Sequence, residues 1–397
     1  METVKTVVQH FQPEPRLLHL MDMFRQMVNL AIAIGLETRR TSLKSLSLAS
    51  YHQLKIFNIP SRYRLCAISR ATGILKNYRS LSKKHSVRIP YCRRPGLNMC
   101  YGLKIRNREL SLTGGLSIPL NDHTLRVLSE PGLKLRSITL TAYTMGISYS
   151  KKTKAVECQG MMGIDRNLNN VTAADSVGNI IIHDLSRITK TKLASRQTIA
   201  RFKRSDDRIR QRIASKYGRI QRNRTNWLLH NVSRKLVNHA TKNRFSIVVE
   251  RITGIRRLYR KGNGQTRYHR AQLNSWSYHE LDKQLSYKAS WNGLPVVHVN
   301  PKGTSSKCSA CGDQMVFSKE SRTLRCSTCS LVIDRDVNAA RNILSAGLRF
   351  SLKGPSDEAM KGNPMIMAIP GVDDGQSSHE KTPTDPTEDL TEPNLRN

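Results

Sequence analysis

Two cysteine pairs, Cys308-Ser-Ala-Cys311 and Cys326-Ser-Thr-Cys329, stand fourteen residues apart. A two-residue spacing lets both thiolates of a pair reach one metal ion. Four soft sulfurs in a tetrahedron suit one structural Zn²⁺ with no open position for chemistry. Gly312 follows the first pair, where a tight turn can aim backbone N–H groups at sulfur. The rival reading, two redox pairs without metal, finds no support nearby. Cys66, Cys92, Cys100 and Cys158 lack such spacing and read as core or surface thiols.

Acids are scarce, 29 against 66 Lys and Arg, so an acid in apolar surroundings stands out. Asp165 ends the strand pattern GMMGID, Glu250 ends FSIVVE, and Asp336 opens the helical pattern DVNAARNIL. Each alone reads as an exposed end-of-element carboxylate. Burying three together is costly unless a cation neutralises them. Two Mg²⁺ ions would do so and could clamp the attacking and leaving oxygens of a phosphodiester. Asp334 competes for the third place. From Asp336, Ala340, Ile343 and Leu344 continue one apolar stripe, which turns Asp336 toward the core, whereas Asp334 suits a helix N-cap.

The elements that must position these groups follow from periodicity. Residues 158–184 read as three strands, with a turn at Ser176–Asn179. Leu185 to Lys242 contains no Pro and one Gly, and Ile209, Ile213, Ile220, Trp227, Leu228, Val232 and Leu236 recur at helical spacing. That predicts a long helical hairpin with an apolar seam and basic outer faces. FSIVVE (245–250) is a buried strand, followed by a Gly/Arg-rich loop, GIRRLYRKGNGQTRYHR. A helix over 275–291, a strand over 294–299 and a helix over 336–346 complete this part. In residues 1–153, helical patterns at 17–34 and 61–84 precede strands around Gly-containing turns, a helical insert within a β module.

The formal net charge is +37. The tail from Gly354 carries −6, so the first 353 residues carry +43. A body that basic expects a polyanion, hence nucleic acid. Arg208, Arg212 and Arg219 fall on one helical stripe that could follow a phosphate backbone, and Arg256, Arg257 and Arg260 lie in the basic loop. No membrane is expected, because no apolar run approaches ~20 residues, and the start lacks the pattern of a secretion signal. Sparse cysteines point to a reducing compartment. The tail after Gly354 is rich in Pro, Gly, Ser, Thr and acid, and reads as disordered.

GIDRNLNNVTAAD, the basic hairpin closing on WLLHNVSRKLV, IVVERITGI, and the run from SWSYHELDKQL through both cysteine pairs to VIDRDVNAARNIL resemble the TnpB family. These are transposon-encoded, RNA-guided DNA nucleases related to the miniature type V CRISPR effectors. The resemblance covers residues 155–347 closely and the N-terminal third only in architecture. It implies a multidomain α+β chain. A wedge-type β domain with an inserted helical recognition lobe would span 1–153. A split RuvC domain of RNase H type would have parts I and II with the hairpin at 154–307 and part III at 334–353. The zinc module lies between them at 308–333, and 354–397 is the acidic tail. Asp165, Glu250 and Asp336 would be the Mg²⁺-holding triad. The implied partners are a guide RNA encoded by the transposon end and target double-stranded DNA. The implied setting is the cytoplasm of a prokaryote, nucleoid-associated. One departure is Asn167, where family members often carry Gly; Asn tolerates the left-handed backbone better than other non-Gly residues. The rivals are a miniature type V effector nuclease, a guided DNA-binding regulator without cleavage, and a strand-joining transposase.

Overall fold

The computed structural model describes residues 2–83, 85–202, 207–255, 264, 266–317 and 322–353. They form two compact units, residues 4–152 and residues 153–353 with Glu2 and Thr3.

The first unit begins with β1 (Glu2–His10) and three helices, α1 (Pro15–Glu37), α2 (Leu43–Ser50) and α3 (Ser61–Ser82). Strands β2 (Leu97–Met99), β3 (Lys104–Arg106), β4 (Glu109–Ser111) and β5 (Ser117–Pro119) follow, then α4 (Asp122–Leu128), β6 (Leu133–Leu140) and β7 (Thr144–Lys152). One sheet runs β1-β7-β6-β2, so the three helices leave and return to the same sheet; β3-β4-β5 form a small second one. Pro15 opens α1, where its missing N–H costs nothing. By length and composition α1 is apolar enough to cross a membrane, contrary to the sequence expectation that no run approaches that length. Asp22 and Arg25 interrupt the apolar run, but they are too few to lower the helix's mean hydropathy much. Met21, Phe24, Met27, Val28 and Ala31 are buried, and the helix packs on α2 and α3. The β3–β4 turn is made without glycine, Asn107 and Arg108 both taking left-handed backbone at φ 47° and 63°. Cys66 and Cys100, distant in sequence, bring their sulfurs to 4.0 Å.

The second unit is built on five strands. β8 (Gly160–Arg166), β9 (Asn170–Asp175) and β10 (Ile180–Asp184) are antiparallel neighbours. Helices α5 (Ser186–Ala200) and α6 (Asp207–Lys242) form the expected hairpin. β11 (Phe245–Glu250) then lies parallel to β8, α7 (Arg267–Asn274) and α8 (Tyr278–Trp291) follow, and β12 (Val296–Val299) lies parallel to β11. The order is β10-β9-β8-β11-β12. β13 (Met315–Phe317), β14 (Thr323–Cys326) and β15 (Val332–Asp334) make a three-stranded antiparallel sheet before the final helix α9 (Arg335–Lys353).

β11 is buried at all six residues, because both faces of the sheet are covered. Side chains alternate across it. Met162, Ile164, Ile247 and Val249 pack with Leu229, Val232 and Leu236 of α6 and Leu281 and Leu285 of α8. Met161, Val248 and Val299 pack with Ile343 and Leu344 of α9 on the other face.

Two expectations need correcting here. The apolar seam of the hairpin is confined to the second half of α6, where Leu229 rather than Trp227 is buried; Ile209 and Trp227 are each 50% exposed. The first half has no strand beneath it, and its Ile213 and Ile220 are only half-buried. The basic loop after β11 ends sooner than expected, since residues 267–270 are the first turn of α7.

Candidate nuclease centre and four-cysteine cluster

Alternation along β8 places Met161, Gly163 and Asp165 on the α9 face, and alternation along β11 places Val248 and Glu250 there too. Val248 pairs with Gly163 and Val249 with Ile164, so Glu250 and Asp165 stand one step beyond that register, at the C-terminal ends of adjacent parallel strands. Gly163 is the reason α9 can approach. A Cβ there would lie 2.4 Å from the Leu344 nitrogen and 2.5 Å from the Ala340 carbonyl oxygen. With α9 pressed on β8, its first turn brings Asp336 to the same face. Asp165, Glu250 and Asp336 are 6%, 9% and 5% exposed.

Each carboxylate is held by a side-chain partner, local for Asp165 and from distant parts of the chain for Glu250 and Asp336. The Asn167 side-chain amide donates to Asp165 at 2.7 Å, and the Thr304 hydroxyl donates to Glu250 at 2.5 Å. Asn170 donates to Asp336 at 2.7 Å, and the Arg322 guanidinium pairs with the same carboxylate. Asn167 stays out of the left-handed region. The Asn167 amide therefore serves Asp165 rather than easing a left-handed turn. Arg166, 3% exposed, donates to the Glu250 and Tyr278 carbonyl oxygens and pairs with Asp282 at 2.9 Å. Thr304, Asn170, Arg322 and Arg166 were not legible as site residues, because only long-range contacts assign them. Asp334 accepts the N–H groups of Asp336 at 2.8 Å and Val337 at 3.2 Å, an N-terminal cap on α9.

Burial, the Glu250 charge and, more weakly, the Asp336 charge push the Asp165 carboxyl up to about 7. Three acids share a poorly hydrated place, and their mutual repulsion falls on Asp165. Their oxygens are not drawn into one tight ligand group: among the described residues, only the four cysteines bring all their ligand atoms within 4.8 Å of one another.

In that cluster Cys308 and Cys329 sulfurs are 3.5 Å apart, and Cys311 and Cys326 sulfurs 3.4 Å. Four sulfurs at ~2.3 Å from a tetrahedral zinc lie ~3.8 Å apart, so the set fits one ion. Each pair sits on a tight turn. Gly312 takes φ 86° and its N–H reaches the Cys308 carbonyl, while the Ala310 N–H points at the Cys308 sulfur at 3.4 Å. N–H groups from Cys329 and Thr328 help hold the Cys326 thiol down to about 6, the thiolate form a metal needs. The cluster is laced to α9. Asn338 accepts from the Ser309 N–H and donates to the Lys307 carbonyl, and Asn342 donates to the Thr304 and Lys307 carbonyls.

Arg208, Arg212 and Arg219 are all exposed on the first half of α6. Arg256, Arg257 and Arg260 lie outside the described residues.

A family model described as the Cas12f1-like TNB domain matches residues 278–343. A TnpB-like protein of Methanocaldococcus jannaschii is 27% identical over 260 residues, 62% of this chain and 92% of that protein. The CRISPR-associated endodeoxyribonuclease Cas12f1 of Sulfoacidibacillus thermotolerans is 32% identical over 116 residues, 29% of this chain and 25% of its own length. A Cas12f1 solved by cryo-EM in a complex with sgRNA and target DNA has a similar fold, with a TM-score of 0.59 at 13% identity over 83% of each chain.

Proposed function

Because the chain belongs to the TnpB family, related to the miniature type V effectors, we propose that it is an RNA-guided DNA endonuclease with a split RuvC centre. The observation that carries this reading is the trio Asp165, Glu250 and Asp336, buried on one sheet face with Asp165 pushed up to about 7. The strand order supports an RNase H type of sheet: β8 is central, β9 beside it is the one antiparallel strand of the five, and β10, β11 and β12 all run parallel to β8.

The residues present fit a hard divalent cation. The donors are carboxylate oxygens, and Asn170 Oδ1 is a further buried oxygen without a hydrogen-bond partner. Asp165, Glu250 and Asp336 would hold Mg²⁺, which supplies Lewis acidity to the phosphodiester and a lowered pKa to water. Asn167, Thr304 and Asn170 hold the carboxylates in their rotamers. Arg322 neutralises Asp336, and with its side chain 61% exposed it can swing to solvent or to a substrate phosphate. One such centre cuts both strands in turn, so each strand must reach it unpaired. Base pairing with a guide RNA from the transposon end would supply sequence specificity, the protein reading only a short motif beside the target. The four cysteines would hold one structural zinc.

The test uses the chain purified with its RNA. Sequencing that RNA, then adding Mg²⁺ and a plasmid carrying the complementary target, should give a linear product that RNase pretreatment or EDTA abolishes. RNase-resistant joining of transposon-end DNA would point to a transposase instead.

A further inference from the structure

The basic hairpin and α7 border a half-open cavity of about 370 Å³. Lys192 and Arg196 of α5, Arg210 of α6, Asn274 of α7 and Ser275 just beyond it border this space. Ligand sites run roughly 300–1,000 Å³. An adjoining recess shares Lys192, Arg196 and Ser275 and adds Tyr268 of α7, which is 58% exposed.

Charge, aromatic surface and position point the same way. Three cations converge, and no carboxylate is among the described residues that border the cavity. Lys192 is fixed there, donating to the Ser275 carbonyl at 2.5 Å and the Ser277 hydroxyl at 2.8 Å. Burial, helped by the Arg196 charge, lowers its ammonium to about 8. An anion in the cavity would relieve that repulsion, and Lys/Arg donors form their strongest hydrogen bonds with phosphate. Tyr268 offers a ring face, and such faces stack on unpaired bases. A hydrogen-bonded path also runs from the cavity's rim to the acidic trio. Trp276 follows Ser275, and its indole N–H donates to the Asn167 carbonyl at 2.9 Å. Asn167 in turn donates to Asp165 at 2.7 Å.

We propose that this cavity is a subsite for one unpaired nucleotide of the DNA strand, its phosphate on Lys192, Arg196 and Arg210 and its base against Tyr268. The proposal rests on the endonuclease reading for the identity of the strand. A base still in a duplex has no free face for Tyr268, so the subsite selects strand already opened. Ser275, Trp276 and Asn167 tie the cavity's rim to Asp165, so a strand held there would be led toward the acidic trio.

The experiment uses the full chain with its guide RNA, made non-cutting by Asp165→Asn. The probes are a fluorescent oligodeoxythymidine, an oligouridine of equal length, and an oligodeoxythymidine carrying 5-iododeoxyuridine. Ultraviolet cross-linking followed by peptide mapping should place the iodo base on Tyr268. The double variant Arg196→Gln, Arg210→Gln should weaken oligodeoxythymidine binding at least tenfold and lower the log–log salt slope by about 1–2. Tyr268→Ala should weaken it about fivefold or more with the slope unchanged, and Tyr268→Phe should restore it. Unchanged zinc content and melting temperature establish that the variants are folded. Parental binding by both variants, or a cross-link mapped elsewhere, overturns the subsite. So does tighter binding of oligouridine that the same variants abolish, which would assign the cavity to guide RNA. Plasmid cutting by the parent chain is measured in parallel. If cutting is absent while the cross-link to Tyr268 persists, the nuclease reading fails and the subsite stands.

Discussion

Asp165 titrates against its neighbours, and the sign of that coupling is testable. Its folded pKa, about 7, lies above the ordinary carboxylate value of 3.8. The folded state therefore keeps a proton that the unfolded chain releases as pH rises through ~4 to 7. The stability from this group is fully present below pH ~4 and lost as pH approaches 7. Metal-free protein should be less stable at pH 7 than at pH 5, by up to about 2–3 kcal/mol from this residue. Asp165→Asn should flatten that loss in denaturant titrations at the two pH values. A slope that persists in the variant would assign the effect to other groups. Asp334 separates structure from chemistry. Asp334→Ala should cost roughly 0.5–2 kcal/mol through the lost cap and leave most cutting intact, whereas Asp334→Asn should keep both. A cleavage-dead Asp334→Ala beside an active Asp336→Ala would reverse the assignment of the third acid. Asp165, Glu250 and Asp336 were legible because each closes or opens an apolar element in a chain poor in acids. Their partners were not: Thr304 meets Glu250 across 54 residues and Asn170 meets Asp336 across 166, and no local pattern encodes such pairs.

The contact between α9 and β8 decides where Asp336 sits, and Gly163 decides that contact. Gly163→Ala would drive a methyl into the α9 backbone, which a side-chain rotation cannot relieve. It should destabilise the second unit by about 1–3 kcal/mol or more and depress cutting, with zinc still bound. Full cutting and a wild-type melting temperature in that variant would mean that α9 does not dock as described. The cysteine cluster reaches the acids through the same helix. Asn342 holds the Thr304 carbonyl while the Thr304 hydroxyl holds Glu250. Cys308→Ser, or stripping zinc with a strong chelator, should therefore lower cutting as well as metal content, and restored zinc should restore both. Cutting unaffected by zinc loss would uncouple the two. The strands and helices of the five-stranded sheet and its flanks were readable, since they keep clean periods of 2 and 3.6. By contrast, α7 began inside an expected loop, and the short strands β13, β14 and β15 of the cysteine module were not foreseen. The seam of α6 was misplaced because Trp227 shares the helical spacing of core residues, yet it points away from the sheet that Leu229, Val232 and Leu236 face. The turn at Asn107–Arg108 escaped because two non-glycine residues take left-handed backbone.

For the whole molecule the governing quantity is charge. A net of +37 is carried largely by exposed Lys and Arg such as Arg208, Arg212 and Arg219. Replacing these three with Gln should weaken guide-RNA binding whatever the guide sequence and flatten its salt dependence. A chain making six to ten phosphate contacts should lose about 10³-fold or more in affinity between 50 and 200 mM salt. An unchanged slope would move the RNA to another surface. Above charge stands the question of whether the buried acids cut DNA under RNA direction. The deciding measurement is the Mg²⁺-dependent rate of linearising a plasmid that carries the guide's complement. It compares the parent RNA–protein complex with Asp165→Ala, Glu250→Ala and Asp336→Ala complexes, target binding being checked alongside by gel shift. Each variant should bind target like the parent and cut at least 100-fold more slowly. Cutting at the parent rate by any of the three, with RNA and target bound, would contradict the assignment of the centre.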